Sequence, residues 1–250
     1  MSLRGTLLAI VLASGIGGGI YGLWSRMPEC ARLVDPRCPS WASPCYQTIQ
    51  GAINALNADT SCNGNLTGRV VYVMPGTYTE NVNVTGTETL HLIGLGNSRW
   101  IRNNVVIQAT VDTAADPILH WNGPSGNLMG FMLDFVNSSD AGDHGLHIDA
   151  VGAALAVREL GFIGSLPTDG NAIRIDPTVG FIEFQNTEMI LNCRSGSTGV
   201  NIAGVYVDWP NIPSFTELRF MYGLIELKQN CPGGTALFEF DRTPSFGGAL

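Results

Sequence analysis

The chain has 250 residues, with 13 Lys plus Arg against 21 Asp plus Glu and a net charge of −8. With 45% hydrophobic residues, 14% charged and 31 Gly, it holds enough apolar material for a large core, which excludes a disordered acidic tail and fits one all-β domain or at most two small ones. A single Lys, Lys228, and the lack of any basic run exclude a nucleic-acid binder, because neutralising a phosphate backbone takes clustered Lys and Arg.

Residues 5–25 are uncharged and bracketed by Arg4 and Arg26. At about 1.5 Å per residue such a stretch crosses ~30 Å of hydrocarbon. A retained transmembrane anchor over residues 1–26 would meet lipid through Leu7, Ile10, Val11, Ile16 and Ile20, with Trp24 at the interface. A cleaved signal peptide would instead be cut near Ala13, Ser14 and Gly15. Gly15 and Gly19, and Gly18 and Gly22, have the spacing that lets membrane helices approach closely, although glycine is frequent in such helices anyway.

Six cysteines, Cys30, Cys38, Cys45, Cys62, Cys193 and Cys231, form an even set that points to disulfides and an oxidising compartment. Arg26, Arg32 and Arg37 follow the apolar span and only Arg4 precedes it, a bias that would put the body in the cytoplasm. The cysteines are given more weight, so the body is expected outside the cytoplasm or on a virion. Asn65, Asn83 and Asn137 open sequons and are possible glycosylation sites. No CxxC spacing signals zinc, and neither a metal nor a cofactor is expected.

Residues 27–43 carry Pro28, Pro36, Pro39 and two cysteines without periodicity, which reads as a linker. Ser43-Pro44 then reads as an N-cap and first helical position, and Ile49, Ala52, Ile53 and Leu56 follow at helical spacing, predicting one helix over 44–57. Short strands fill the rest, with rungs expected over about 69–241 of a domain spanning 44–250.

A repeat organises them. Leu119-His120-Trp121-Asn122, Leu146-His147-Ile148-Asp149, Ile173-Arg174-Ile175-Asp176 and Val200-Asn201-Ile202-Ala203 start 27 residues apart, and Phe238-Glu239-Phe240-Asp241 follows after 38. Leu155 and Val157 recur as Ile182 and Phe184, and Leu160-Gly161-Phe162-Ile163 echoes Met129-Gly130-Phe131-Met132 and Leu218-Arg219-Phe220-Met221. Units this short hold no crossover helix and bury their apolar faces by stacking, so the expected fold is an all-β, single-stranded parallel β-helix. Asn192-Cys193 and Asn230-Cys231 precede their copies by the same offset, which predicts a Cys193–Cys231 disulfide across adjacent rungs and leaves Cys30, Cys38, Cys45 and Cys62 to pair among themselves.

The segments Thr48-Ile49-Gln50-Gly51-Ala52-Ile53-Asn54-Ala55, Val71-Tyr72-Val73-Met74-Pro75-Gly76-Thr77-Tyr78-Thr79-Glu80-Asn81-Val82 and Leu90-His91-Leu92-Ile93-Gly94-Leu95-Gly96 resemble the start of pectin-lyase-like β-helix proteins, the pectinesterase branch above all. The resemblance implies a right-handed coil capped by the helix, with the P-G-T-Y-x-E segment turning into the first rung. Tyr78 then covers the open end of the core, and Glu80 bonds a neighbouring strand or turn rather than acting as a catalytic acid. Beyond residue 96 the catalytic segments are missing: Asp134-Phe135-Val136-Asn137 is a distant echo of the pectinesterase D-F-I-F-G element, and Gly142-Asp143-His144-Gly145 lacks the companions of the polygalacturonase G-H-G element.

Outward positions alternate with the apolar ones, so His120, His147, Arg174, Asn201 and Glu239 are expected in one exposed column, and Asn122, Asp149, Asp176 and Asp241 in another. His147, Asp149, Arg174 and Asp176 would crowd across two rungs, a constellation suited to acid–base work on a glycan or to a hard cation. Asn and Asp also end strands simply by bonding turn backbone, and the sequence favours that plainer reading. Trp209, beside Pro210, is the best exposed candidate for sugar stacking, whereas Trp121 belongs to the core. With the catalytic segments missing, the expected function is a non-enzymatic, membrane-anchored structural or surface protein of a cell envelope or virion capsid or spike. Its expected partners are membrane lipid through residues 5–25 and assembly partners or further copies of itself. The alternative is an extracellular protein that binds or degrades polysaccharide.

Overall fold

In the computed structural model the described residues are 28–39, 44–64, 68–96, 105–110, 116–138, 143–167, 170–176, 180–193, 203–208, 216–222, 224–227 and 236–241. The expected anchor over 1–26 and Trp209 lie outside them. Among the described residues, no helix is long and apolar enough to cross a membrane.

The chain winds as a parallel β-helix. One sheet stacks six strands, β5 (Val82–Thr85), β8 (Leu119–Asn122), β10 (Leu146–Ala150), β13 (Asn171–Ile175), β16 (Ala203–Asp208) and β19 (Ala236–Asp241), each parallel to the next. The larger sheet runs from β1 (Ala31–Val34) through β3 (Arg69–Val73), β6 (Leu90–Gly94), β9 (Gly126–Asp134) and β11 (Ala154–Ile163) to β14 (Gly180–Gln185) and β17 (Thr216–Met221). Between the sheets lies one continuous apolar core. Leu119, Trp121, Leu146, Ile148, Ile173, Ile175, Val205 and Val207 point into it from the first sheet, and Leu128, Phe131, Leu155, Val157, Ile182 and Phe184 from the second. Alternation with period two sends every other residue inward, which is why the repeat was visible in the sequence.

Four successive rungs of the larger sheet turn a corner at one stacked position. Gly130, Glu159, Asn186 and Tyr222 all have left-handed backbone there, with φ of 83°, 53°, 55° and 52°. Arg158 lies opposite Met129 and Leu160 opposite Phe131, which places Glu159 on Gly130. The Leu160 segment is therefore not in register with Met129, as its sequence echo implied, and Leu218 sits opposite Ile182 instead.

At the amino end the structure departs from the expected linker. Ala31–Val34 is a fully buried strand, held between β2 (Cys45–Tyr46) and β3, so the sheet begins before residue 69. A strand buried on both faces shows no alternation, so its pattern could not be told from a loop. The cap helix α1 spans Ile49–Ala58 rather than 44–57, with Ile49, Ala52, Ile53 and Leu56 buried against the coil. Thr48, not Ser43, is its N-cap and accepts from the Gly51 N–H at 3.1 Å. Residues 45–46 are drawn into the sheet instead, and Cys45 is bonded to Cys38.

Glu80 completes the cap from the first rung. Its two carboxylate oxygens accept from the N–H groups of Ile49 and Gln50 at 2.8 and 2.9 Å, satisfying donors that the helix itself leaves orphaned. Tyr78 is buried and donates its hydroxyl to the Met74 carbonyl at 2.8 Å. A second disulfide joins Cys30 to Cys62, on the turn after α1. The Cys193–Cys231 pairing lies outside the described residues, because Cys231 does. Two disulfides mark a domain that folds in an oxidising compartment.

Candidate functional site

The outer face of the six-stranded sheet carries the column that the repeat predicted, with two corrections. His120 lies opposite His147, and His147 opposite Arg174, while Asn83 precedes them opposite His120. The next position is Tyr206 rather than Asn201: Ile173 pairs with Val205 and Ile175 with Val207, 32 residues on. Val200-Asn201-Ile202 has the same alternation, but Val205-Tyr206-Val207 puts a β-branched or aromatic residue at every position and takes the strand. Asn201 lies outside the described residues, and Glu239 follows opposite Tyr206.

The second expected column also breaks. The register shifts between Ile148 and Ala150, so that Ala150, not Asp149, lies opposite Asn122. Such a bulge re-aims one side chain, and here it delivers the Asp149 carboxylate between two imidazoles. One oxygen, Oδ2, meets His120 Nε2 at 3.0 Å, and the other, Oδ1, lies 3.8 Å from His147 Nε2. His147 Nε2 also meets Asp176 Oδ2 at 2.8 Å, and Arg174 Nε donates to Asp176 Oδ1 at 2.8 Å. Ionised carboxylates only accept, so both imidazoles carry their proton on Nε2 in this network. The rings of His120 and His147 stack with centroids 5.0 Å apart, the spacing that neighbouring parallel strands impose. Arg174 in turn lies over the Tyr206 ring at 5.6 Å.

Burial alone would raise the Asp176 carboxyl, but the hydrogen bonds from His147 and Arg174 and their charge outweigh it and hold the group well below the ordinary carboxylate range. Asp176 therefore stays ionised at neutral pH and anchors both His147 and Arg174. Asp149 is the more open of the two acids, with its side chain 38% exposed against 19% for Asp176. Together the four expected residues, with His120, give one ionised anchor, one solvent-facing carboxylate, a guanidinium and two imidazoles on a continuous face.

Sequence reading missed His144. It is buried beneath the site, edge-on to His147 with ring centroids 5.7 Å apart, and its Nδ1 accepts from the Asn171 backbone N–H at 3.2 Å. Burial first, then the charge of Arg174 and of His147, push this imidazole down to about 3, so it is neutral and carries its proton on Nε2. Its neighbour Asp143 is buried too, which sets the Asp143-His144 pair apart from an exposed catalytic element. Asp134 accepts from Gln108 at 2.9 Å and from the Val136 N–H at 3.0 Å, capping a short turn. Among the sequons Asn83 is exposed, Asn137 donates its amide to the Ala109 carbonyl at 2.9 Å, and Asn65 lies outside the described residues.

Parallel register, stacked strands and the helix cap define a parallel β-helix. Among solved structures the chain is similar to the pectin methylesterase PemA from Erwinia chrysanthemi, with 16% identity, TM-score 0.44, and 70% of this chain and 59% of that one covered. It is also similar to the pectin methylesterase from Aspergillus niger, with 14% identity, TM-score 0.41, and 87% and 86% covered. The chain thus spans 59% of the length of the first of these, and identities this low carry no residue role across. No family model matches the chain, and no curated protein is similar to it in sequence. The expectation of a non-enzymatic structural or surface component of an envelope or virion is corrected at this point. Both similar structures are pectin methylesterases.

Proposed function

We propose that the chain is an extracellular polysaccharide-binding or polysaccharide-degrading protein, and that the outer face of the six-stranded sheet at His120, His147, Asp149, Arg174 and Asp176 is where it meets the polymer. One observation carries the reading: the hydrogen-bonded run from His147 through Asp176 to Arg174, on a solvent-facing strand ladder with Asp149 open beside it. Asp176, held ionised, orients His147 through its Oδ2 contact. Asp149 is the carboxylate placed to take a proton from substrate or water. The Arg174 guanidinium attracts the carboxylates of a uronate chain, and the Tyr206 ring beside it extends the face for a sugar.

The test is binding and turnover on a panel of acidic and neutral polysaccharides, with product release followed directly. A uronate polymer is expected to bind or be cleaved, and Asp176→Asn and His147→Ala are each expected to lower turnover ~100-fold or more, in the range that a positioned acid or base contributes. Inactivity and lack of binding across the panel overturn the proposal.

Residues 5–25 are proposed to tether this domain to a membrane through Leu7, Ile10, Val11, Ile16, Ile20 and Trp24, with 1–26 as the anchor and the coil beyond it. The full chain is then expected in the membrane fraction after alkaline washing. Recovery of the intact chain in the wash contradicts the tether without touching the polysaccharide proposal.

A further inference from the structure

We infer that His120, His147, Asp149 and Asp176 form a binding site for a divalent transition-metal ion of the Zn2+ or Co2+ kind. His147 Nε2, one Asp149 oxygen and one Asp176 oxygen all lie within 4.8 Å of one another. A tetrahedral site with bonds of about 2.0–2.1 Å separates its ligand atoms by about 3.4 Å. The observed separations of 2.8 Å to Asp176 and 3.8 Å to Asp149 bracket that value, so small side-chain rotations close the set. His120 Nε2, 3.0 Å from the second Asp149 oxygen and stacked on His147, supplies the fourth ligand.

Ligand chemistry selects the class of ion. Two imidazoles and two carboxylates suit Zn2+, Co2+, Ni2+ or Mn2+, whereas Ca2+ takes six to eight oxygens and Mg2+ a near-ideal octahedron of oxygen. The carboxylates neutralise the charge of the ion, and each imidazole binds it through an Nε2 lone pair, its ring proton moving to Nδ1 by exchange with solvent. Asp176 is already oriented for this role, because Arg174 occupies Oδ1 and leaves Oδ2 toward His147. That outer contact is the kind that fixes a ligand in metal sites. The bulge at Asp149 serves the same end, since without the register shift this carboxylate would stand over Asn122 instead of between the imidazoles.

Metal binding here does not depend on whether the face also takes a polysaccharide, so the experiment leaves carbohydrate out. The full chain, stripped with chelator, is titrated with Zn2+ by calorimetry and with Co2+ by visible absorption. Saturable binding of one ion per chain is expected, with the intense Co2+ bands of a four-coordinate site. His147→Ala and Asp149→Asn should each weaken it at least ~100-fold. Arg174→Gln, which removes only the orienting partner of Asp176, should weaken it ~10–100-fold. His91→Gln, away from this face, should leave it unchanged. His120→Asn serves as a further ligand variant if His147→Ala does not fold. Absence of saturable binding to the wild-type chain overturns the inference, as does unchanged affinity in Asp149→Asn and His120→Asn with the circular dichroism of the parent.

Discussion

Asp176 accepts from His147 on one oxygen and Arg174 on the other, and it stays charged although its surroundings are half-buried. His144, one layer deeper, is the reverse case: it has a backbone donor on Nδ1 and cationic neighbours, and it stays neutral. Its titration leaves a mark on stability. In the unfolded chain this imidazole takes a proton below its ordinary value of 6.5, while the folded chain resists until about 3. The stability contributed by neutral His144 is therefore complete above pH 6.5 and is lost as pH falls from there toward 3, at up to about 1.4 kcal/mol per pH unit. Urea unfolding at pH 6.5 and 4.5, in the presence of chelator, should show a steeper loss for the wild-type chain than for His144→Gln. Equal losses in the two proteins would contradict the buried neutral state.

Gly130 and Glu159 show how an element sets its own corner. The rungs of β9, β11, β14 and β17 each bend at a left-handed residue, and at Gly130 a Cβ would stand 2.6 Å from the Gly94 carbonyl oxygen with φ at 83°. Gly130→Ala therefore combines backbone strain with a backbone clash and is expected to cost about 1–3 kcal/mol, read from the shift in the denaturant midpoint. A shift of less than a few tenths of a kcal/mol would mean that the corner yields. Side-chain alternation identified the inward residues of β8, β10, β13, β11 and β14 correctly, because burial on one face writes itself with period two. Which copy of Leu-Gly-Phe stacks on which was not legible, since Leu160 pairs two residues away from its echo and a shift of two keeps the same side chains inward. The same holds for Asp149, whose bulge is a backbone event with no signature among neighbouring side chains. Val82-Asn83-Val84-Thr85, by contrast, alternates as plainly as the later copies and was readable as a further rung.

At the scale of the molecule, few charges and many glycines belong together: a coil needs one apolar interior, tight corners and a capped end. The cap is built from separated pieces of sequence, with Thr48 and Glu80 supplying the acceptors for α1 and the disulfides Cys30–Cys62 and Cys38–Cys45 closing the same end. The motif around Tyr78 and Glu80 thus proved to be architecture, while the chemistry-bearing groups gather rungs away, where parallel stacking turns residues 27 apart into neighbours. Of that cluster the sequence showed His147, Asp149, Arg174 and Asp176. It did not show His144, because an inward histidine looks like an interruption of the apolar pattern and not like part of a site.

The central claim is that this face of the coil acts on a polysaccharide, and the most direct measurement is turnover of a uronate polymer by the wild-type chain beside Asp176→Asn and Glu183→Gln. Glu183 lies on the other sheet, where it faces Arg158, so its substitution should leave turnover unchanged. Loss confined to Asp176→Asn is the predicted result. Equal turnover in all three proteins, or none in the wild-type chain on any polymer, would contradict the account.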